Sequence, residues 1–144
     1  MRVPVKLAHV PPRLATGAFI LYSGLSKRHA DEQTAAGTHG MAARAYPFLK
    51  KIEPRTFTKL LSAAEMALGA ALLAPVVPTA LAGLGLAAFG GGLVGMYLRT
   101  PSLREPGSLG PSEQGVAIAK DVWLLGTGLG FVVEAITDRC ACRR

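Results

Sequence analysis

Charge is scarce in this chain. Lys, Arg, Asp and Glu make up 17% of its 144 residues, against about 25% in an average soluble domain. Aromatics are scarcer, at 6%, and no run of Lys and Arg is interleaved with them. The net charge of +7 therefore does not read as a nucleic-acid surface. Cysteine occurs only as Cys140 and Cys142, and His9, His29 and His39 stand singly, so no Cys/His set completes a tetrahedral zinc site. The sequence holds no catalytic-triad signature, P-loop, Gly-rich dinucleotide turn or haem-attachment motif. Hydrocarbon is what it has: 50% of the residues are apolar, too many for a disordered chain.

The few charges are segregated. Four apolar stretches, Leu14–Ser26, Leu60–Val77, Thr79–Leu98 and Val122–Ile136, hold Glu65 and Glu134 as their only charged residues. A water-soluble helix keeps a charged stripe toward solvent, whereas Thr79–Leu98 is apolar all round for about the 20 residues that cross a bilayer. The pattern predicts an all-α, polytopic membrane protein: an antiparallel four-helix transmembrane bundle in one domain, with spans near 14–26, 58–77, 79–98 and 119–137. The first span is the shortest, with Arg13 and Lys27 set to snorkel to opposite interfaces and a re-entrant segment as the alternative. Basic Arg2 and Lys6 give the N-terminus a signal-peptide flavour, but no small-residue cleavage site follows, so this span is expected to be retained.

Polar connectors at 27–59 and 99–119 and a basic tail at 138–144 complete the plan. A short helix is expected around Thr38–Ala45, with His29 and His39 solvated. The charge-free Pro75-Val-Val-Pro78 turn forces spans 2 and 3 into a hairpin, and four spans put both termini on one side with that turn. The connectors carry more Lys and Arg than the opposite side, which leans them toward the cytoplasm. Small residues fall four apart in span 3 (Gly83, Ala87, Gly91, Gly95), span 2 (Ala63, Ala67, Ala71) and span 4 (Gly126, Gly130). That spacing is expected to mark the faces where helix backbones approach closely.

Antiparallel threading gathers polar residues in one layer. Glu65, about 9 Å into its helix from Lys59, should share a level with Tyr22, Ser23 and Lys27 at the end of span 1, Arg99 closing span 3, and Lys120 and Asp121 opening span 4. A membrane-embedded acid normally faces the bundle interior with a partner, and Lys120, then Arg99, are the expected partners. Such a layer suits a pocket for a proton, a quinone headgroup or a small polar ligand; a register-fixing ion pair is the plainer alternative. Glu134 is expected at the opposite interface with His9, Arg13 and Arg139. The Cys140-Ala-Cys142 pair, flanked by Arg139, Arg143 and Arg144, suits a redox dithiol, half of a metal site or a lipidation site, or is incidental.

Arg13-Leu-Ala-Thr-Gly17-Ala-Phe-Ile-Leu-Tyr-Ser-Gly24-Leu-Ser-Lys27 resembles the opening helix of the DoxX-like membrane proteins. Glu65 in span 2, the Lys120-Asp121 start of span 4 and the four-span layout are similar to that family as well. The resemblance covers most of the chain; the first connector is longer and more basic than the family pattern. It implies a four-helix bundle in a bacterial plasma membrane, linked to sulfur and thiol oxidation or to quinone-dependent oxidoreductases, with Arg13, Glu65, Lys120 and Asp121 as family-like polar positions. Quinone as a ligand, and a soluble or membrane oxidoreductase as a partner, are implied by resemblance only. The sequence offers no cofactor ligands beyond two tail cysteines, which argues against an independent enzyme. A non-catalytic scaffold, assembly factor or small-solute carrier is the other expectation.

Overall fold

A computed structural model describes residues 5–141 of the chain. It is all-helical, with an isolated bridge between Arg104 and Pro111 as the sole extended pairing among the described residues. In chain order the helices are α1 (Val10–Arg28), α2 (Glu32–Ala45), α3 (Pro54–Leu73), α4 (Thr79–Arg99), the single turn α5 (Val116–Ala119) and α6 (Val122–Ala141). Short 3-10 turns occupy Leu7–His9, Pro47–Lys51 and Pro101–Leu103.

Proline sets several of these boundaries. Prolines lie in the first turn of α1 and of α3, where the missing N–H costs nothing. The first connector is therefore not one polar loop. Pro54 starts α3 four residues ahead of the expected span, and α2 fills much of what remains. Asp31 caps α2, its side chain accepting a hydrogen bond from the Thr34 amide at 2.7 Å. The Thr34 side chain, together with that amide, holds the Asp31 carboxyl below its ordinary value of 3.8. A carboxyl depressed in the folded state contributes stability above its unfolded value and loses it as pH falls through the folded one. Asp31→Ala should thus speed exchange of the Thr34 amide hydrogen at pH 7, and the difference from the parent protein should shrink as pH falls below 3.8. A difference that does not change with pH would rule out the ionised cap.

Among the described residues, three helices are long and apolar enough to cross a membrane, spanning Pro54–Leu73, Thr79–Arg99 and Val116–Asp138. The 19-residue α1, which carries Arg13, Lys27 and Arg28, is not among them. Their outward faces are hydrocarbon: Leu60, Leu81, Leu84, Leu129, Val133 and Ile136 are all exposed. Apolar surface of that extent suits a bilayer rather than water. α1 nevertheless shares the central core, in which Ile20 of α1, Leu72 of α3, Ala82 and Leu86 of α4, and Leu124 and Phe131 of α6 are buried together.

Helices pair antiparallel, α1 with α3 and α4 with α6. In the second pair a Cβ built on Gly83 would lie 2.7 Å from Phe131 Cβ, and one on Gly90 2.5 Å from the Leu125 backbone nitrogen. Gly128 faces the Ala87 backbone from the other side. The expected four-residue register is right at Gly83 and Ala87 and wrong beyond. Gly91 meets only the tip of Leu125 at 3.8 Å, and Gly95 meets the Tyr46 hydroxyl. At about 100° per residue, a four-residue step drifts by about 40°, whereas seven residues bring the face back within about 20°. The contact therefore runs from Gly83 to Gly90. Likewise Gly126 and Gly130 face open space, and Ala63 and Ala67 are exposed. The α1–α3 contact uses Gly24, Ser62 and Gly69 instead.

Arg13 does not snorkel; it is 3% exposed. Pro75 lacks the N–H that would bond the Ala71 carbonyl four residues back, and the Ala74 carbonyl, at the C-cap of α3, accepts from the Val77 amide at 3.2 Å. Arg13 Nη2 donates to both, at 2.9 Å each. Its Nε donates to Leu72 O at 2.8 Å, and Nη1 to Val77 O and Thr79 Oγ1 at 3.0 Å. All five guanidinium donors are used, at the negative end of the α3 dipole.

Candidate functional site

Ser62 Oγ donates to Gly24 O at 2.7 Å, locking α1 against α3. Three residues further along each helix, on the same face, lie Lys27 and Glu65. Because the helices are antiparallel those two steps diverge, and the Lys27 side chain reaches back along α1 to close the gap: Lys27 Nζ stands 3.0 Å from Glu65 Oε2. The same ammonium donates to Ser23 Oγ at 2.6 Å, one turn back on α1. Glu65 is 3% exposed.

The expected partners of Glu65 are thereby corrected. Lys120 is exposed at the α5–α6 turn and takes no part in an ion pair among the described residues. Arg99 is also exposed, with its guanidinium 5.0 Å above the Tyr46 ring. Tyr22 is 73% exposed, because α1 turns Ser23, Gly24 and Lys27 inward and leaves Tyr22 outside. Of the seven residues expected in one layer, Ser23, Lys27, Glu65 and Asp121 line a common cavity; Tyr22, Arg99 and Lys120 do not.

That cavity has a volume of about 760 Å³. Phe19 and Ile20 of α1, Phe57 and Leu61 of α3, and Phe89 and Leu93 of α4 form much of its apolar wall. Thr34, Thr38 and Met41 bring α2 across it, and Ile118, Asp121 and Leu124 border it from the α5–α6 side. Its polar groups are few: the Ser23–Lys27–Glu65 cluster and Asp121, with Thr34, Thr38 and Tyr46 on the α2 side. A mostly apolar space with a few convergent polar groups is the usual form of a small-molecule site.

The role of α2 was not visible in the sequence. Tyr46 at its end donates a hydrogen bond to Gly92 O at 2.8 Å, tying α2 to α4. His39 is not simply solvated: its Nε2 donates to Leu49 O at 2.9 Å, and its ring meets Phe57 edge-on at 5.4 Å. Capping Asp31 and the aromatics Tyr46, Phe48 and Phe57 around Pro47 and Pro54 were the available signals. The glycines at 37 and 40 obscured them, because glycine disfavours helix.

At the opposite end of the molecule, Glu134 accepts hydrogen bonds from Lys6 and His9, and Lys6 also pairs with Asp138. The bond to Asp138, with the one to Glu134, raises the Lys6 ammonium above its ordinary value. His9 is thus a partner of Glu134 as expected, while Arg13 is committed to the α3–α4 turn instead. The pairing puts the end of α6 beside the start of α1 and agrees with the antiparallel threading. Cys140 is exposed; Cys142, Arg143, Arg144 and the Arg139 side chain lie outside the described residues. No group of three or more His, Cys, Asp or Glu suited to a metal ion occurs among the described residues. Comparison with protein-family models, with curated proteins and with solved structures finds no match to this chain.

Proposed function

We propose that the chain is a multi-pass protein of a bacterial plasma membrane. In this reading it is a DoxX-like four-span bundle with α1 as the fourth span and the connectors in the cytoplasm. It serves a membrane redox system, quinone-linked or acting on thiol or sulfur compounds, as a subunit that holds a lipid-soluble molecule and docks an oxidoreductase. The observation that carries this reading is the cavity of about 760 Å³, apolar along its walls, with Ser23, Lys27, Glu65 and Asp121 among its lining. The core helix α1 supports the fourth span, since it packs Ile20 into the same core as the three apolar helices.

A second reading is a non-catalytic scaffold in which Lys27 and Glu65 only fix helix register. It is favoured by the Ser62–Gly24 lock beside the pair, which makes the pair part of the α1–α3 seam. Two variants separate the readings. If the pair is structural, Glu65→Gln should lower the melting temperature in detergent, and exchanging the charges (Lys27→Glu with Glu65→Lys) should restore it. If the cavity holds a ligand, a lipid-soluble molecule should copurify with the protein and be identified by mass spectrometry of a solvent extract. Gly92→Phe should then expel it without unfolding the protein, because Gly92 lines the cavity and has no atom within 4 Å of a built Cβ. No copurifying molecule, with full rescue by charge exchange, would establish the scaffold instead.

A further inference from the structure

The polar groups of the cavity are unevenly committed. An ammonium has three donors and accepts nothing. Lys27 directs its donors to Ser23 Oγ at 2.6 Å, Glu65 Oε2 at 3.0 Å and, at the limit of bonding distance, Ser23 O at 3.5 Å. Glu65 Oε1 and the Asp121 carboxylate accept no hydrogen bond from any described residue. Counting formal charges, Lys27, Glu65 and Asp121 leave one net negative charge. The nearby cations that could cancel it are directed elsewhere: Arg99 lies over Tyr46 and Lys120 is exposed, and neither lines the cavity. Among its charged groups the cavity has acceptor capacity and negative charge to spare, and its uncommitted donors are the neutral Ser23 and Thr38 hydroxyls.

We infer that the cavity selects an amphiphile whose head donates hydrogen bonds to carboxylates, and discriminates against one whose head only accepts them. This rests on the reading of the cavity as a ligand site and deepens it. Within a quinone couple the reduced member has that chemistry, since a hydroquinone presents two O–H donors and a quinone two carbonyl acceptors. A protonated alkylamine presents the same donor chemistry with a charge. The Phe19, Phe57 and Phe89 rings suit either: they offer faces to an aromatic head and a quadrupole to a cation. An acceptor-only head would face unpaired carboxylate oxygens and lose the affinity that those contacts supply.

The test uses the full chain in nanodiscs and equilibrium dialysis with three probes: decyl-benzohydroquinone kept anaerobic, decyl-benzoquinone and decylammonium. The hydroquinone should bind at least about tenfold tighter than the quinone, as expected for a hydrogen bond to a charged group. Asp121→Asn should shrink that ratio, with a thermal melt confirming that the variant is folded. Decylammonium binding more tightly than the hydroquinone would assign the site to a cationic amphiphile, the other source of the same donor chemistry. Quinone binding as tightly as both donor probes would overturn the inference while leaving a ligand site in place. Absence of binding by all three, or binding that Gly92→Phe leaves unchanged, would overturn the ligand-site reading itself.

Discussion

Arg13→Ala should destabilise the fold by on the order of 3–5 kcal/mol, because several acceptors lose their donor at about 1–3 kcal/mol for each one left buried and unpaired. The guanidinium is buried and donates to Ala71 O, Leu72 O, Ala74 O, Val77 O and Thr79 Oγ1. Removing it strips the Ala71 carbonyl, which Pro75 already deprives of its helical partner, of the donor that replaces it, while the Ala74 carbonyl keeps the Val77 amide. A buried carbonyl left unpaired costs about 1–3 kcal/mol. Arg13→Lys keeps the charge but has three donors for five acceptors in a fixed arrangement, so it should recover only part of the loss. Thermal unfolding in a mild detergent measures both. An unchanged melting temperature for Arg13→Ala would mean that the α3–α4 turn closes without it.

Gly90→Leu should separate α4 from α6, whereas Gly91→Leu should be tolerated. A Cβ at Gly90 would stand 2.5 Å from the Leu125 nitrogen and 2.9 Å from its Cα. Those atoms are backbone and cannot turn aside, so the helices themselves must move. Overpacking of a well-filled contact costs about 1–3 kcal/mol, and occasionally more; a leucine pressed against backbone belongs at the upper end. Gly91, one position on, meets only a flexible leucine tip. The two melting temperatures in detergent should therefore differ clearly, with Gly90→Leu the lower. Equal values would place the α4–α6 seam elsewhere.

The helices themselves were legible because charge segregation and proline spacing are properties of the sequence alone. Thr79–Leu98 had no charged residue to place in water, and Pro75 and Pro78 could only bound a turn. Which face of each helix meets its neighbour was harder to read. Gly83, Ala87, Gly91 and Gly95 look like one stripe at four-residue spacing, but the stripe rotates off the seam within two steps. The polar layer shows the same limit. Threading placed Glu65 at the level of Lys27, Arg99 and Lys120, since level depends only on residue count. Choosing among the three required knowing that Ser62 meets Gly24, and small residues elsewhere offered equally plausible seams. Only the second half of α2, Thr38–Ala45, was expected, because its stability comes from a cap and from docking onto α3 and α4 rather than from an apolar stripe.

The Arg13 anchor also bears on the order in which the chain can be completed. Its five acceptors lie 58 to 66 residues further along the sequence. As synthesis proceeds from the N-terminus, α1 is made while every one of those partners is still missing. Until the α3–α4 turn exists, the first helix carries a cation that nothing in the emerged chain can satisfy in this way. α1 is therefore seated only once α3 and the turn after it have been made, and a fragment ending before Ala71 lacks every one of the five acceptors.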